Sequence, residues 1–135
     1  MIVYCDGVFD LFHSGHVNHF KRIKWDYKEC TLIVGIMSDR DATGYKRPPI
    51  YSEEERCTLV ESCKYVDRVI KNAPLYVSTE FLNNHSIDKV IHAFSSKQDY
   101  EKQKDFYKDK LETIPYQHNG PSTTSIIKKI ITLYK

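Results

Sequence analysis

Apolar runs alternate with helical patterns along the whole of this chain, and that alternation constrains the fold more than any other feature. Stretches rich in β-branched and aromatic residues at Ile2–Cys5, Thr31–Ile36, Val66–Ile70, Lys89–His92 and Thr113–Tyr116 read as strands. Gly15–Trp25, Ser52–Cys63, Thr79–His85, Tyr100–Lys110 and Ser122–Tyr134 read as helices. Strand–helix alternation with short connections predicts an α/β fold. The expected form is a Rossmann-like, doubly wound, mostly parallel five-stranded sheet with helices on both faces. At 135 residues the chain is expected to form one domain, 1–135, with a real core. Ser52 followed by Glu55 is a capping box and marks a helix start. Ile126, Ile127, Ile130, Ile131 and Tyr134 recur at helical spacing and predict a core-facing stripe on the last helix. Ala42–Tyr51, with Gly44, Pro48 and Pro49, is the one extended loop expected, and its place after the second strand makes it a candidate lid.

Composition narrows the function classes. A net charge of +2 is too small to argue for nucleic acid, and the lysines between Asp99 and Lys110 are interleaved with acids, as on a solvated helix face. No apolar run approaches the length of a membrane span, and Met1 passes straight into a strand pattern without a leader, so a cytoplasmic location is expected. Cys5, Cys30, Cys57 and Cys63 have no metal-binding spacing and are expected as buried thiols, Cys57 and Cys63 within one helix. No protein-held metal site is expected.

The chemistry concentrates in Asp6-Gly7-Val8-Phe9-Asp10-Leu11-Phe12-His13-Ser14-Gly15-His16, directly after the first apolar run. A strand that breaks at a glycine and re-enters a helix is the junction at which α/β sheets bind anionic ligands. His13 and His16 lie three apart, so on a turn or helix both imidazoles face one point. Two imidazoles aimed at one point can donate hydrogen bonds to a phosphate as its charge builds. His19 is expected on the surface, and His85, in a polar turn, is assigned no chemistry.

These residues match the HxGH motif of the nucleotidyltransferase superfamily. Leu32-Ile33-Val34-Gly35-Ile36 with Ser38-Asp39, and Lys64-Tyr65-Val66-Asp67-Arg68-Val69, resemble the CTP-dependent cytidylyltransferases, the latter through their RYVDEV motif. Asn72-Ala73-Pro74, Thr79-Glu80-Phe81-Leu82, His85 and Ile87-Asp88 to His92 are similar to the phosphocholine members in particular, and the chain also resembles the phosphoethanolamine members. Gly120-Pro121-Ser122-Thr123-Thr124 resembles the family's GISTT run. The resemblance spans nearly the whole chain, in order.

The resemblance implies CTP and a small phospho-alcohol as substrates, with Mg²⁺ carried by the triphosphate. The phosphate of the alcohol attacks the α-phosphorus of CTP and pyrophosphate leaves. His13, His16 and Lys46 would be catalytic, Lys46 reaching the phosphates from the lid. The nucleotide would be bound by Gly7, Val8, Phe9, Asp10, Gly15, Arg56, His92, Gln117, Gly120, Ser122, Thr123 and Thr124. Within that set, Asp10 would hold the loop or a metal-bound water. The chain departs from the family at four places. Gln117 stands where an arginine is usual, Lys64 replaces the RYVDEV arginine, Leu75 a tryptophan, and Ala93-Phe94-Ser95 the acidic residues after His92. Tyr100, Phe106 and Tyr107 are the aromatic residues expected to contact an ammonium head group instead. The family also implies a homodimer paired through Lys64–Asp67. Glycerol-3-phosphate as acceptor, or a nucleotide-binding module without turnover, are the competing readings.

Overall fold

The computed structural model of the protein describes residues 1–93, 101, 111–114 and 122–135. Its elements run β1 Ile2–Gly7, α1 Ser14–Asp26, β2 Thr31–Met37, α2 Asp39–Tyr45, α3 Glu53–Glu61, β3 Arg68–Ala73, α4 Thr79–Asn84, β4 Lys89–Ala93 and β5 Leu111–Ile114. The last helix, Thr123–Tyr134, is here α5. The strands lie in the order β3-β2-β1-β4-β5, and every neighbouring pair is parallel. The α/β expectation with a parallel sheet therefore holds.

Strand periodicity explains how the sheet is covered. Val3 and Cys5 point to one side with Leu32, Val34 and Ile36, where they pack against Phe20 and Ile23 of α1 and Cys57 and Val60 of α3. Tyr4, Ile33 and Val90 point to the other side, against Val77, Leu82 and Ile87 around α4. A Cβ at Gly35 would collide with the Tyr4 ring and with Ala73, so only glycine lets that buried tyrosine lie against β2. Full burial of each such aliphatic side chain is worth about 1.5–3 kcal/mol.

Strand order decides where the site lies. The chain leaves β1 toward β2 and β3 on one side, then returns across the sheet to β4 and β5 on the other. Loops after β1 and β4 therefore diverge, and a crevice opens beyond the carboxyl end of β1. The histidine motif emerges at that end.

Five expectations are corrected. The start of the expected Ala42–Tyr51 loop is helical, because Ser38 caps α2 by accepting from Asp41 N, and Asp39 and Asp41 favour its first turn. Strand β3 begins at Arg68 rather than Val66, since Val66 N closes a turn onto Cys63 O. Strand β5 begins at Leu111 rather than Thr113. Helix α3 ends at Glu61, so Cys63 lies past it; Cys5, Cys30 and Cys57 are buried, Cys63 only partly. The stripe on α5 is not core: Ile130, Ile131 and Tyr134 are 48%, 57% and 83% exposed. The expected helix Tyr100–Lys110 lies outside the described residues apart from residue 101.

Candidate active site

His13 is the N-cap of α1 in an extended conformation, and His16 occupies the third helical position. The capping box at this terminus is built from imidazoles. His13 Nδ1 accepts from Gly15 N at 3.0 Å, and His16 Nδ1 accepts from His13 N at 3.2 Å. Both rings thus use Nδ1 as an acceptor, which places the proton of each neutral ring on Nε2. The rings stack with centroids 3.8 Å apart and planes 25° apart. His13 Nε2 is buried and has no hydrogen-bond partner among the described residues. A donor held this way suits an incoming oxyanion.

The surroundings keep both rings neutral. Burial lowers the pKa of His13 and drives that of His16 down to about 3, with the fields of His13, His19 and Lys46 adding to the second shift. Phe12 stacks on His16 at 5.5 Å and Phe9 meets it edge-on at 5.4 Å, which accounts for much of that desolvation. His19 is partly buried rather than a surface group, and burial, then Arg22, lowers it to about 4.

The turn between β1 and α1 is strained and clamped. Phe9 and Leu11 have φ of 56° and 48°, left-handed values that non-glycine residues rarely adopt. Asp10, 5% exposed, accepts from Leu11 N and Tyr51 N on Oδ1 and from Ile50 N on Oδ2, at 2.7–3.0 Å. Its carboxylate therefore holds the loop between α2 and α3. No cluster of three metal-ligating side chains occurs among the described residues. The donor set of the described residues does not assemble a protein-held metal site.

Arg56 departs from the sequence expectation of nucleotide contact. It is 0% exposed, and it donates to Tyr51 O, Val8 O and Met37 O and to Asp39 Oδ1. Four of its five N–H donors are committed inside the protein and the side chain is fully buried, so it shapes the motif turn instead of facing the crevice. One sequence signal pointed this way: Arg56 lies four residues before buried Val60, on the inward side of α3. Its partner Asp39 gave no signal.

The hydroxyls at the start of α5 also have protein partners. Ser122 caps the helix by accepting from Ser125 N, Thr123 Oγ1 donates to Asp10 O at 2.8 Å, and Thr124 Oγ1 accepts from Arg47 Nη1 at 3.2 Å. These hydroxyls are therefore engaged within the protein, where the sequence suggests phosphate contacts. Helix α5 is nonetheless brought to the histidine turn, 113 residues away in sequence, by the Thr123 bond. Lys46, at the C-cap of α2, is exposed, yet desolvation of its ammonium and then the neighbouring Arg47 lower its pKa. Its charge is felt at His16. Gly7 lies under the Phe9 ring, 3.0 Å from where a Cβ would stand. His92 falls near the carboxyl end of β4, where its backbone pairs with Thr113. Tyr100, Phe106, Tyr107, Gln117 and Gly120 lie outside the described residues.

The cytidylyltransferase-like family matches residues 4–129. The chain is 39% identical to choline-phosphate cytidylyltransferase of Saccharomyces cerevisiae, over 98% of this chain and 32% of that protein. It is 37% identical to choline-phosphate cytidylyltransferase A of Homo sapiens, over 98% and 37%. With ethanolamine-phosphate cytidylyltransferase of Mus musculus it shares 32% identity, over 98% and 33%. The chain thus spans about a third of the length of these curated relatives. Among solved structures, the lipopolysaccharide core biosynthesis protein from Thermoplasma volcanium GSS1 superposes with a TM-score of 0.69. It is 24% identical, over 85% of this chain and 96% of that one, a likeness of fold.

Proposed function

Since the chain belongs to the cytidylyltransferase-like family, we propose that it transfers CMP from CTP to phosphocholine or phosphoethanolamine, on a doubly wound, Rossmann-like sheet. The observation that carries this reading is the imidazole pair whose Nδ1 atoms are tied to backbone N–H groups, with the buried Nε2 of His13 left for a ligand. A phosphate oxygen of the acceptor attacks the α-phosphorus of CTP. The bond from that phosphorus to the bridging oxygen breaks, and pyrophosphate leaves. Nε2–H of His13 and of His16 donate to the α-phosphate and to the bridging oxygen as negative charge gathers there. Neutral donors do this without giving up their protons. Lys46 adds a point charge at the outer phosphates, and the backbone start of α5 faces them. Magnesium enters as part of the nucleotide.

The head group would meet the aromatic residues Tyr100, Phe106 and Tyr107. Pairing of two chains through Lys64–Asp67 and a cytoplasmic setting belong to the same reading. Pyrophosphate release is the test, measured with CTP or ATP against phosphocholine, phosphoethanolamine and glycerol-3-phosphate. Release with CTP and an amino-alcohol phosphate is expected. Release with glycerol-3-phosphate alone moves the acceptor. Thermal stabilisation by CTP without release from any acceptor makes the chain a binding module.

A further inference from the structure

The loop from Lys46 to Tyr51 carries two consecutive cations, Lys46 and Arg47, and its far end is pinned by the Asp10 carboxylate through Ile50 N and Tyr51 N. Pro48 and Pro49 fix two backbone torsions between those points, so the loop has little freedom to carry its cations away. The same Asp10 holds the start of α5, because its carbonyl accepts the Thr123 hydroxyl. One residue of the histidine turn thus anchors both walls of the crevice. Arg47 spans them: its Nη1 donates to Thr124 Oγ1 at 3.2 Å, in the first turn of α5.

What faces these cations is unusual. Ion pairs among the described residues include Arg22 to Asp26, Lys24 to Asp67 and Arg56 to Asp39. No described carboxylate pairs with Lys46 or Arg47. Side-by-side cations repel each other, and the hydrogen bond to a neutral hydroxyl uses one of the five guanidinium N–H donors of Arg47. The buried Nε2 of His13, without a partner among the described residues, is a donor on the same turn that Asp10 anchors. Imidazole donors, a helix start and two cations with no described carboxylate partner thus gather around this turn, where the Asp10 carboxylate is already engaged by backbone N–H groups.

We infer that Arg47 is a direct ligand of the outer phosphates of the nucleotide, with its contact to Thr124 holding the guanidinium at the start of α5 until the triphosphate arrives. This rests on the CTP reading above and adds to it a second cation, one whose planar fork can take two oxygens of the terminal phosphates at once. Binding of an outer phosphate here also ties the loop to α5, so the triphosphate itself closes the two walls.

Calorimetry on the wild type, Arg47→Gln and Arg47→Lys tests this, with CTP, CMP and inorganic tripolyphosphate as probes at one salt concentration. Arg47→Gln is expected to weaken CTP and tripolyphosphate roughly tenfold or more, the scale of one lost charge-assisted contact, and to leave CMP unchanged. Arg47→Lys is expected to recover part of the loss, since it keeps the charge but not the fork. Unchanged tripolyphosphate affinity in Arg47→Gln overturns the inference. An equal loss for CMP and CTP does so too, because it marks a strap that merely orders the loop. A wild type that binds tripolyphosphate but neither CTP nor CMP sinks the CTP reading, and the tripolyphosphate arm still decides the role of Arg47.

Discussion

His13 does two jobs with two nitrogens. Nδ1 caps α1, and Nε2 is the donor aimed at the ligand. Substitutions can separate them, because asparagine is a good N-cap and carries nothing that reaches the Nε2 position. Under the proposed function, His13→Asn is expected to lower turnover by about 10²-fold or more, the usual scale for one lost transition-state donor. Its denaturant midpoint should stay near that of the wild type, whereas His13→Ala should also lose about 1 kcal/mol of stability with the cap. A His13→Asn enzyme with wild-type turnover would remove this ring from the chemistry. The lowered histidine pKa values also set a pH dependence of folding. The unfolded chain takes up protons near the ordinary value of 6.5, while folded His16 refuses them down to about 3. Stability from this group is therefore complete above 6.5 and is lost as pH falls from there toward 3. Urea midpoints between pH 7 and pH 4 should fall less steeply in His16→Gln than in the wild type, since glutamine can keep the reciprocal cap without titrating. Parallel slopes would mean that His16 is not held neutral.

At the level of elements, the two ends of the chain's helical set behave differently. Helix α1 buries Phe20 and Ile23 completely, while α5 has no buried residue although its sequence is the more apolar. The two are held by different forces. Packing under the sheet fixes α1, whereas α5 is held at its start by the Ser122 cap, the Thr123–Asp10 bond and the Arg47–Thr124 contact. Ile131→Lys should accordingly shift stability by no more than about 0.5 kcal/mol, as surface changes do. Ile23→Ala should cost about 2–5 kcal/mol. A large loss from Ile131→Lys in dilute protein would place that face of α5 against something within the chain. The loop before α3 shows the same division. Its two prolines were visible in the sequence, but its attachment depends on Asp10 and Arg56, which come from other elements.

For the whole molecule, the dimer expected through Lys64–Asp67 has only part of its surface to offer. Tyr65 and Val66 already pack partly on the first core cluster, and Asp67 binds Lys24 Nζ and Leu32 N at 2.7 Å each. Burial opposes ionisation of Asp67, but these bonds prevail and its pKa is lowered, so the carboxylate remains charged on the sheet edge. The proposed pairing predicts sedimentation at twice the mass of the 15.9 kDa chain at micromolar concentration. A single-chain mass there would discard that segment as an interface. No helix among the described residues is long and apolar enough to cross a membrane.

Local information was enough for the parts of this protein that are set by neighbours in the chain. Strand and helix periods, the Ser52–Glu55 capping box and the spacing of His13 and His16 each depend on residues within one or two turns. The histidine cap is likewise local, and its use of Nδ1 follows from a three-residue spacing on a helix start. Tertiary structure decided what a hydrogen bond across 40 or more residues decides. Asp10 became a clasp on Ile50 and Tyr51, Arg56 a buried clamp on Val8 O, and Thr123 a tie to Asp10 O, although each residue type also suits a ligand. Periodicity records that a helix has an apolar stripe but not whether anything lies opposite it, which is why Ile130 and Ile131 read as core and stand exposed. Side-chain chemistry is written in the chain, but a donor has one nearest acceptor only after the strands have chosen their order.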